Sequence, residues 1–385
     1  MKGLFCYDGP ISCDEHGNYF GTVLNNQVFR RYFAVVDSLD IAIRVESGTP
    51  QNNKTSQITL ENINIIKVPN IASISGIINR KEANQILESS IKNADILFIR
   101  LPSFIGNVAV KLAEKLNKPY LIEMVGCPWD SLWNHSIKGK IIAPYMWSAT
   151  KSNIKRSKYV VYVTNSFLQN RYPTKGKSVN CSNVELPQTD NTILENRLNK
   201  ILKPKEKIVI GTAAALNVRY KGQQYIIEAI SKLKNEGIHC EYQLVGWGDS
   251  SYLSEKAKEY GVVDRVKFIG TLPHEQVFSW IDKIDIYAQP SKQEGLPRAL
   301  IEAMNRGCPA IGASSGGIPE LLEEEYVFSK GRKNIDEICN IIKTFNTDKM
   351  KEQAKRNFSE SKQYNKELIQ ERRESLFFEL MENIR

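Results

Sequence analysis

The chain has no run of about 18 apolar residues, the length a membrane-spanning helix needs. Its opening, MKGLFCYDGP, lacks the apolar core of a secretory signal and reads instead as a strand. There is no CxxC pair. The seven cysteines stand at 6, 13, 127, 181, 240, 308 and 339, several of them inside apolar runs. That scatter argues against a disulfide framework and a zinc site, and for buried, reduced thiols in a cytoplasmic protein. The four histidines (16, 135, 239 and 274) show no metal-ligand spacing. The small-residue turn VGWGDS is not GxGxxG, which argues against a nicotinamide dehydrogenase. Acid is missing from one long stretch: 131–184 contains no Asp or Glu but nine Lys or Arg, at 138, 140, 151, 155, 156, 158, 171, 175 and 177. Aromatics lie among them: Trp133, Tyr145, Trp147, Tyr159, Tyr162, Phe167 and Tyr172. Such a segment suits an anionic lipid surface or a phosphate-bearing partner, or else forms a solvated basic face over core aromatics. No nucleic-acid-binding module is recognisable, so no nucleic-acid partner is expected. The expected place is the cytoplasm, with peripheral contact on the inner face of the membrane through this segment.

What is present is ordinary globular composition over 385 residues, long enough for two domains. Short β-rich runs alternate with amphipathic stretches. Strands are expected at KGLFCYDG, DIAIRVE, INIIKVP, DILFIRLP, YLIEMVG and YVVYVT, then at KIVIGTAA, CEYQLVG, RVKFIG, DIYAQP and CPAIGAS. Between them, NQVFRRYFAVVDSL, EANQILESSIKN, VAVKLAEKLN, QQYIIEAISKLKNEG, YLSEKAKEYG, HEQVFSWIDKI and PRALIEAMNRG carry apolar residues at helical spacing. The alternation predicts an α/β protein with two doubly wound domains. The polar stretch 187–206 reads as the linker, placing the domains at 1–190 and 204–365. A polar, charged helix is expected from Asp348 onward, and its end, about 366–385, is expected to run back to the first domain.

Ligands of such sheets bind at the carboxyl ends of strands. Glu294 follows the strand DIYAQP, and Glu302 lies two helical turns further on. Pro297 suits the first turn of the intervening helix and Gly307 its end. The free N–H groups at that helix start form an anion site, and Gly295 lets the backbone approach a ligand. Two carboxylates there can each accept hydrogen bonds from hydroxyls of one polyhydroxylated ligand. A nucleotide sugar has hydroxyls at both ends and a diphosphate between. The bland alternative is a dipole-complementing Glu294 and a surface Glu302. The loop LNVRYKG delivers Arg219 and Lys221, two cations that could neutralise a diphosphate, or could be simply exposed. Gly316 and Gly317 in SSGGIPELL can present further N–H groups, with Pro319 starting another helix.

The run EGLPRALIE at 294–302, with Gly307, Pro309, Gly316, Gly317 and Glu320, resembles the signature of family 4 ("group 1") glycosyltransferases. KG at 221–222, VGWGD, DRVKFIGTLPHEQV and DIYAQPS add to the likeness, which covers most of 207–325. More loosely, DGPISCDEHGNYFG, IEMVGCPWDSLWNH and YVTNSFLQNRYP look like acceptor-domain segments of capsule or cell-surface polysaccharide transferases.

The resemblance implies a GT-B fold, two Rossmann-like domains facing a central cleft. It implies a retaining, metal-independent transfer from a nucleotide diphosphate sugar, with UDP the expected base, to a glycan or lipid-linked acceptor. No cofactor is implied. It assigns the ribose hydroxyls to Glu302, the donor sugar to Glu294, and the diphosphate to Lys221. Gly295, Leu296, Pro297, Arg298, Gly246, Thr271 and Gly17 are assigned to the donor. Leu216 stands where the family carries a basic residue, and Arg219 is the candidate replacement. The family's first-domain His is matched by GCPWD at 126–130, so Asp130, His135 or His16 is the candidate there. Two rivals stand beside this reading: a catalytically inactive binding subunit on the same fold, and an epimerase or phosphorylase of related architecture.

Overall fold

The computed structural model describes residues 1–48, 55–72, 76–134, 136–184, 186–330 and 334–383. The chain forms two compact units. The first comprises Met1–Val163, Leu168–Cys181 and Gln370–Arg385; the second comprises Thr164–Phe167 and Ser182–Ile369.

The first unit holds β1 (Lys2–Cys13), β2 (Tyr19–Gly21), β3 (Ser38–Ser47), β4 (Ser56–Gln57), β5 (Ile63–Lys67), β6 (Ile96–Leu101), β7 (Tyr120–Met124), β8 (Tyr159–Tyr162) and β9 (Lys177–Asn180). The parallel strands lie in the order β5-β3-β1-β6-β7-β8-β9, and β2 and β4 add antiparallel pairs beyond the end of β1. β6 is buried along its whole length, as a central parallel strand covered on both faces should be. Yet it contains Arg100, whose register partner on β7 is Glu123. Glu123 Oε2 accepts from Arg100 Nε at 3.0 Å and Nη2 at 2.7 Å, and Oε1 accepts from the Tyr32 hydroxyl at 2.9 Å. Arg31 stands 4.0 Å from the same carboxylate. Burial alone would raise the Glu123 carboxyl; Arg100 and then Arg31 outweigh it and bring it to about 2. Around this cluster pack Phe5, Tyr32, Phe98 and Phe377, the last contributed by the C-terminal helix Lys366–Glu382.

The second unit holds β10 (Ile208–Ala213), β11 (Cys240–Val245), β12 (Val266–Gly270), β13 (Ile286–Gln289), β14 (Ala310–Ala313) and β15 (Val327–Phe328). All six are parallel, in the order β12-β11-β10-β13-β14-β15. The chain builds outward from β10 to β12, then returns to the other side of β10 as β13. The strand order thus reverses at β10, and the carboxyl ends of β10 and β13 mark the crevice at which sheets of this kind take ligands. The helices Gln223–Asn235 and Asn334–Thr344 cover the core of Ile210, Ile226, Ile230, Leu244, Ile286 and Ile311.

Three features depart from the sequence reading. The stretch expected as a linker forms the helix Thr192–Leu202 and belongs to the second unit, whose main segment begins at Ser182. Its polar composition has a structural use. Buried Arg197 donates to the carbonyls of Ile281 and Ile284 at 2.8 Å and of Arg306 at 3.1 Å, and Lys200 donates to Ile284 O at 2.6 Å and pairs with Asp285. These carbonyls end two helices, where the dipole favours cations. The tail is two helices, Thr347–Ser361 and Lys366–Glu382. The basic stretch begins within the helix Pro128–Trp133 and contains the helix Ile137–Arg156. All seven cysteines are free, and all but Cys13 are buried.

Candidate functional site

At the crevice edge of the second unit, the loop after β10 and the loop after β13 are held against each other. Lys292 N donates to Tyr220 O at 2.8 Å. Gly222, at φ +80°, lies so close that a Cβ there would meet Pro290 O at 2.0 Å, so only glycine allows the contact. The result is one ion pair: Lys221 Nζ stands 2.7 Å from Glu294 Oε1, both side chains largely buried.

Glu294 is oriented from behind by a polar chain. Gln289 Nε2 donates to Glu294 Oε1 and to Ser291 Oγ, both at 3.0 Å. The Tyr287 hydroxyl donates to Gln289 Oε1 at 3.1 Å and accepts from Ala213 N at 3.3 Å. Burial pushes the Tyr287 phenol well above its ordinary value; the Ala213 N–H opposes that, and Glu302 and Glu294 add to it. The phenol therefore stays protonated and serves as a fixed donor. Tyr287 and Gln289 hold Glu294 in place, and sequence reasoning did not name them. The available signal was two polar residues two apart, on one face of a strand otherwise fully buried.

The helix Arg298–Asn305 starts one residue later than expected, with Pro297 as its N-cap, and no side chain caps its first turn. Leu300, Ile301 and Met304 are fully buried, which fixes the helix on the sheet. Gly307 takes φ +58° just past its end. Gly317 N donates to Gly295 O at 2.7 Å, and a Cβ on Gly316 would meet Glu294 O at 2.1 Å. The loop after β14 thus packs onto the Glu294 loop.

Glu302 has a partner that the sequence did not reveal. His274 Nε2 lies 2.9 Å from Glu302 Oε1; the carboxylate is 14% exposed and the imidazole 67%. The Phe278 ring meets the imidazole edge-on at 5.1 Å. Glu320 is fully engaged: it accepts from the N–H groups of Asn165 at 2.6 Å, of Ser166 at 3.0 Å, and of Phe167.

Other sequence candidates are placed differently. Arg219 is exposed and its guanidinium lies over the Tyr252 ring at 4.6 Å; no ion pair joins it to Glu294 among the described residues. Gly246 follows β11, with its N–H on Gly270 O at 2.9 Å, and Thr271 is exposed after β12; both sit at the same sheet edge as the Lys221 loop. Arg298 is exposed and Leu296 half-buried. In the first unit, Asp130 pairs with Arg171 at 3.2 Å at the start of the helix Pro128–Trp133. His16 is exposed in the turn where Gly17 takes φ +82°. His135 lies outside the described residues.

A crevice with a lysine–carboxylate pair, an uncapped helix start and a second carboxylate along that helix fits a ligand with a charged centre and hydroxylated ends. The model of the family described as "Glycosyl transferases group 1" matches residues 195–363. Protein CapJ of Staphylococcus aureus is 32% identical over 390 residues, covering 100% of this chain and 93% of that protein. The chain belongs to the group 1 glycosyl transferases. This group 1 glycosyl transferase is also 37% identical over 110 residues to the amylovoran biosynthesis glycosyltransferase AmsK of Erwinia amylovora, covering 27% of each. Among solved structures, the Anabaena Alr3699/HepE complex with UDP-glucose superposes with a TM-score of 0.63 at 16% identity, over 100% of this chain and 99% of that one. The fold is GT-B, with two Rossmann-like halves.

Proposed function

We propose that this group 1 glycosyl transferase is a retaining, family 4 enzyme. It moves a sugar from UDP-sugar to a hydroxyl of a glycan or lipid-linked acceptor during surface polysaccharide synthesis. The observation that carries the reading is the Lys221–Glu294 pair at 2.7 Å, in the loop that leads into the helix bearing Glu302. In the proposed complex the diphosphate takes over Lys221 and the uncapped N–H groups of that helix, Glu294 meets the sugar, and Glu302 the ribose. As the glycosidic bond breaks, the diphosphate gathers negative charge. A fixed cation and helix-end N–H groups stabilise it more than they stabilise the bound donor. Glu294, in the loop before the helix Arg298–Asn305, and Glu302, within it, bind the donor, unlike a glycosidase pair that flanks a bond. Lysine and helix dipole supply the charge, so no metal is assigned to the step. The base is supported by the UDP-glucose found in the HepE complex, and the pathway by AmsK's named role in amylovoran biosynthesis. Acceptor binding is assigned to the first unit.

The test is release of UDP from a panel of UDP-sugars by the purified full chain, with and without a membrane extract as acceptor. Accelerated release with one sugar supports the reading. Binding of UDP without any release from any sugar would make the chain a binding subunit instead.

A further inference from the structure

The helix Ile137–Arg156 is apolar on two sides. Gly139, Ala143, Met146, Thr150, Asn153 and Ile154 are buried in the first unit. Away from them, Ile137 is 79% exposed, Ile141 75% and Tyr145 58%. Positions four apart lie on one stripe of a helix, so these three form a continuous ridge in solvent. Trp133, 42% exposed, extends it.

The ridge is set in positive charge. Lys140 lies over the Trp133 ring at 5.6 Å and Lys151 over Trp147 at 4.7 Å. Among the described residues no carboxylate pairs with Lys138, Lys140, Lys151 or Lys155, whereas Arg156, Arg171 and Lys177 of the same segment are ion-paired. Two cavities flank the ridge. One of about 390 Å³ opens between Trp133, Ser136, Ile137 and Lys140. The other, of about 120 Å³, brings Arg80 and Lys111 beside Tyr145.

We infer that this ridge docks on the surface of an anionic phospholipid bilayer. Ile137 and Ile141 would enter the acyl boundary, Trp133 and Tyr145 would sit at headgroup level, and the lysines would contact lipid phosphates. Charge complementarity selects this occupant: the segment has no acid to repel phosphate. A soluble polyanion would match the lysines but gain nothing from two exposed isoleucines. The inference does not depend on the donor site.

The experiment is co-sedimentation of the full chain with vesicles of phosphatidylcholine, with or without phosphatidylglycerol. Binding is expected only with phosphatidylglycerol, and salt should release it. Reversing Lys138 and Lys140 to Glu should weaken binding by at least about fivefold for each residue. Ile137→Ser with Ile141→Ser should weaken it about tenfold or more while the salt dependence persists. Thermal midpoints and vesicle-free UDP release should stay at wild-type values in both variants, because these side chains are exposed and remote in sequence from the donor residues. Failure of the wild type to sediment at low salt would overturn the inference. So would a serine variant that binds like wild type, which would leave a purely electrostatic face for a soluble polyanion.

Discussion

Glu302→Ala separates a ribose-binding carboxylate from a mere partner of His274. A ribose diol offers two O–H donors to a carboxylate, and hydrogen bonds to a charged group are worth about 1.5–3 kcal/mol each. Against that stands the His274 contact at 2.9 Å, which a ligand must displace or share. The imidazole is 67% exposed, so solvent screening limits that contact to about 1 kcal/mol or less. The net expected loss on truncation is roughly 2–5 kcal/mol, or about 30-fold and upward in the dissociation constant for UDP. His274→Ala removes only the competitor, so affinity should hold steady or tighten by at most about fivefold. Titration calorimetry of both variants reads this directly. Equal affinities for wild type and Glu302→Ala would refute the ribose role. A His274→Ala loss as large as that of Glu302→Ala would show that the pair acts as a structural unit instead.

The other expectations concern the lysine and the first-unit cluster. Lys221→Ala should lower kcat about 10²–10³-fold, by removing charge stabilisation that grows as the diphosphate leaves, while leaving the fold intact. Single-turnover rates at saturating donor, alongside a wild-type thermal midpoint, check this. Glu123→Gln should destabilise the first unit by about 3–5 kcal/mol, because it leaves Arg100 and Arg31 buried without their counter-charge. Glu123 titrates below its ordinary value of 4.5, at about 2, so it stabilises the native state above that range. The contribution is lost as pH falls from about 4.5 through about 2. Denaturant titrations at neutral and acid pH should show the gap between wild type and Glu123→Gln narrowing with acid; a constant gap would contradict the pairing.

Much of the fold was legible because its parallel strands are short apolar runs set between amphipathic helices. KIVIGTAA, CEYQLVG, DIYAQP and CPAIGAS all fall on observed strands. The placement of Glu294 in the loop after β13 and of Glu302 on the helix that follows was legible, because local spacing along one stretch of chain sufficed. The errors have physical causes. Arg197 and Lys200 looked like linker charge, but their donors are spent on carbonyls distant in sequence. The helix Ile137–Arg156 escaped notice because it is apolar on two sides, which blurs the one-faced periodicity by which a surface helix is recognised. The His274–Glu302 contact joins different strand-following segments, and only the sheet brings them together. Arg219 was credited for its charge, but the tight turn ending at Gly222 directs Lys221 alone to Glu294, while Arg219 stacks on Tyr252.

The central claim is that the crevice of the second unit is a nucleotide-sugar site working through lysine and helix-end N–H groups. Its most direct test is the thermal midpoint of the full chain with UDP, GDP, ADP and their common sugars, without added metal. The account predicts a rise with UDP and UDP-sugars, equivalent to about 2.7 kcal/mol at a hundredfold excess over the dissociation constant, and its fall to about 0.9 kcal/mol or less in Glu302→Ala at the same concentration. A midpoint unmoved by every nucleotide, or a rise that Glu302→Ala and Lys221→Ala both retain in full, would contradict it.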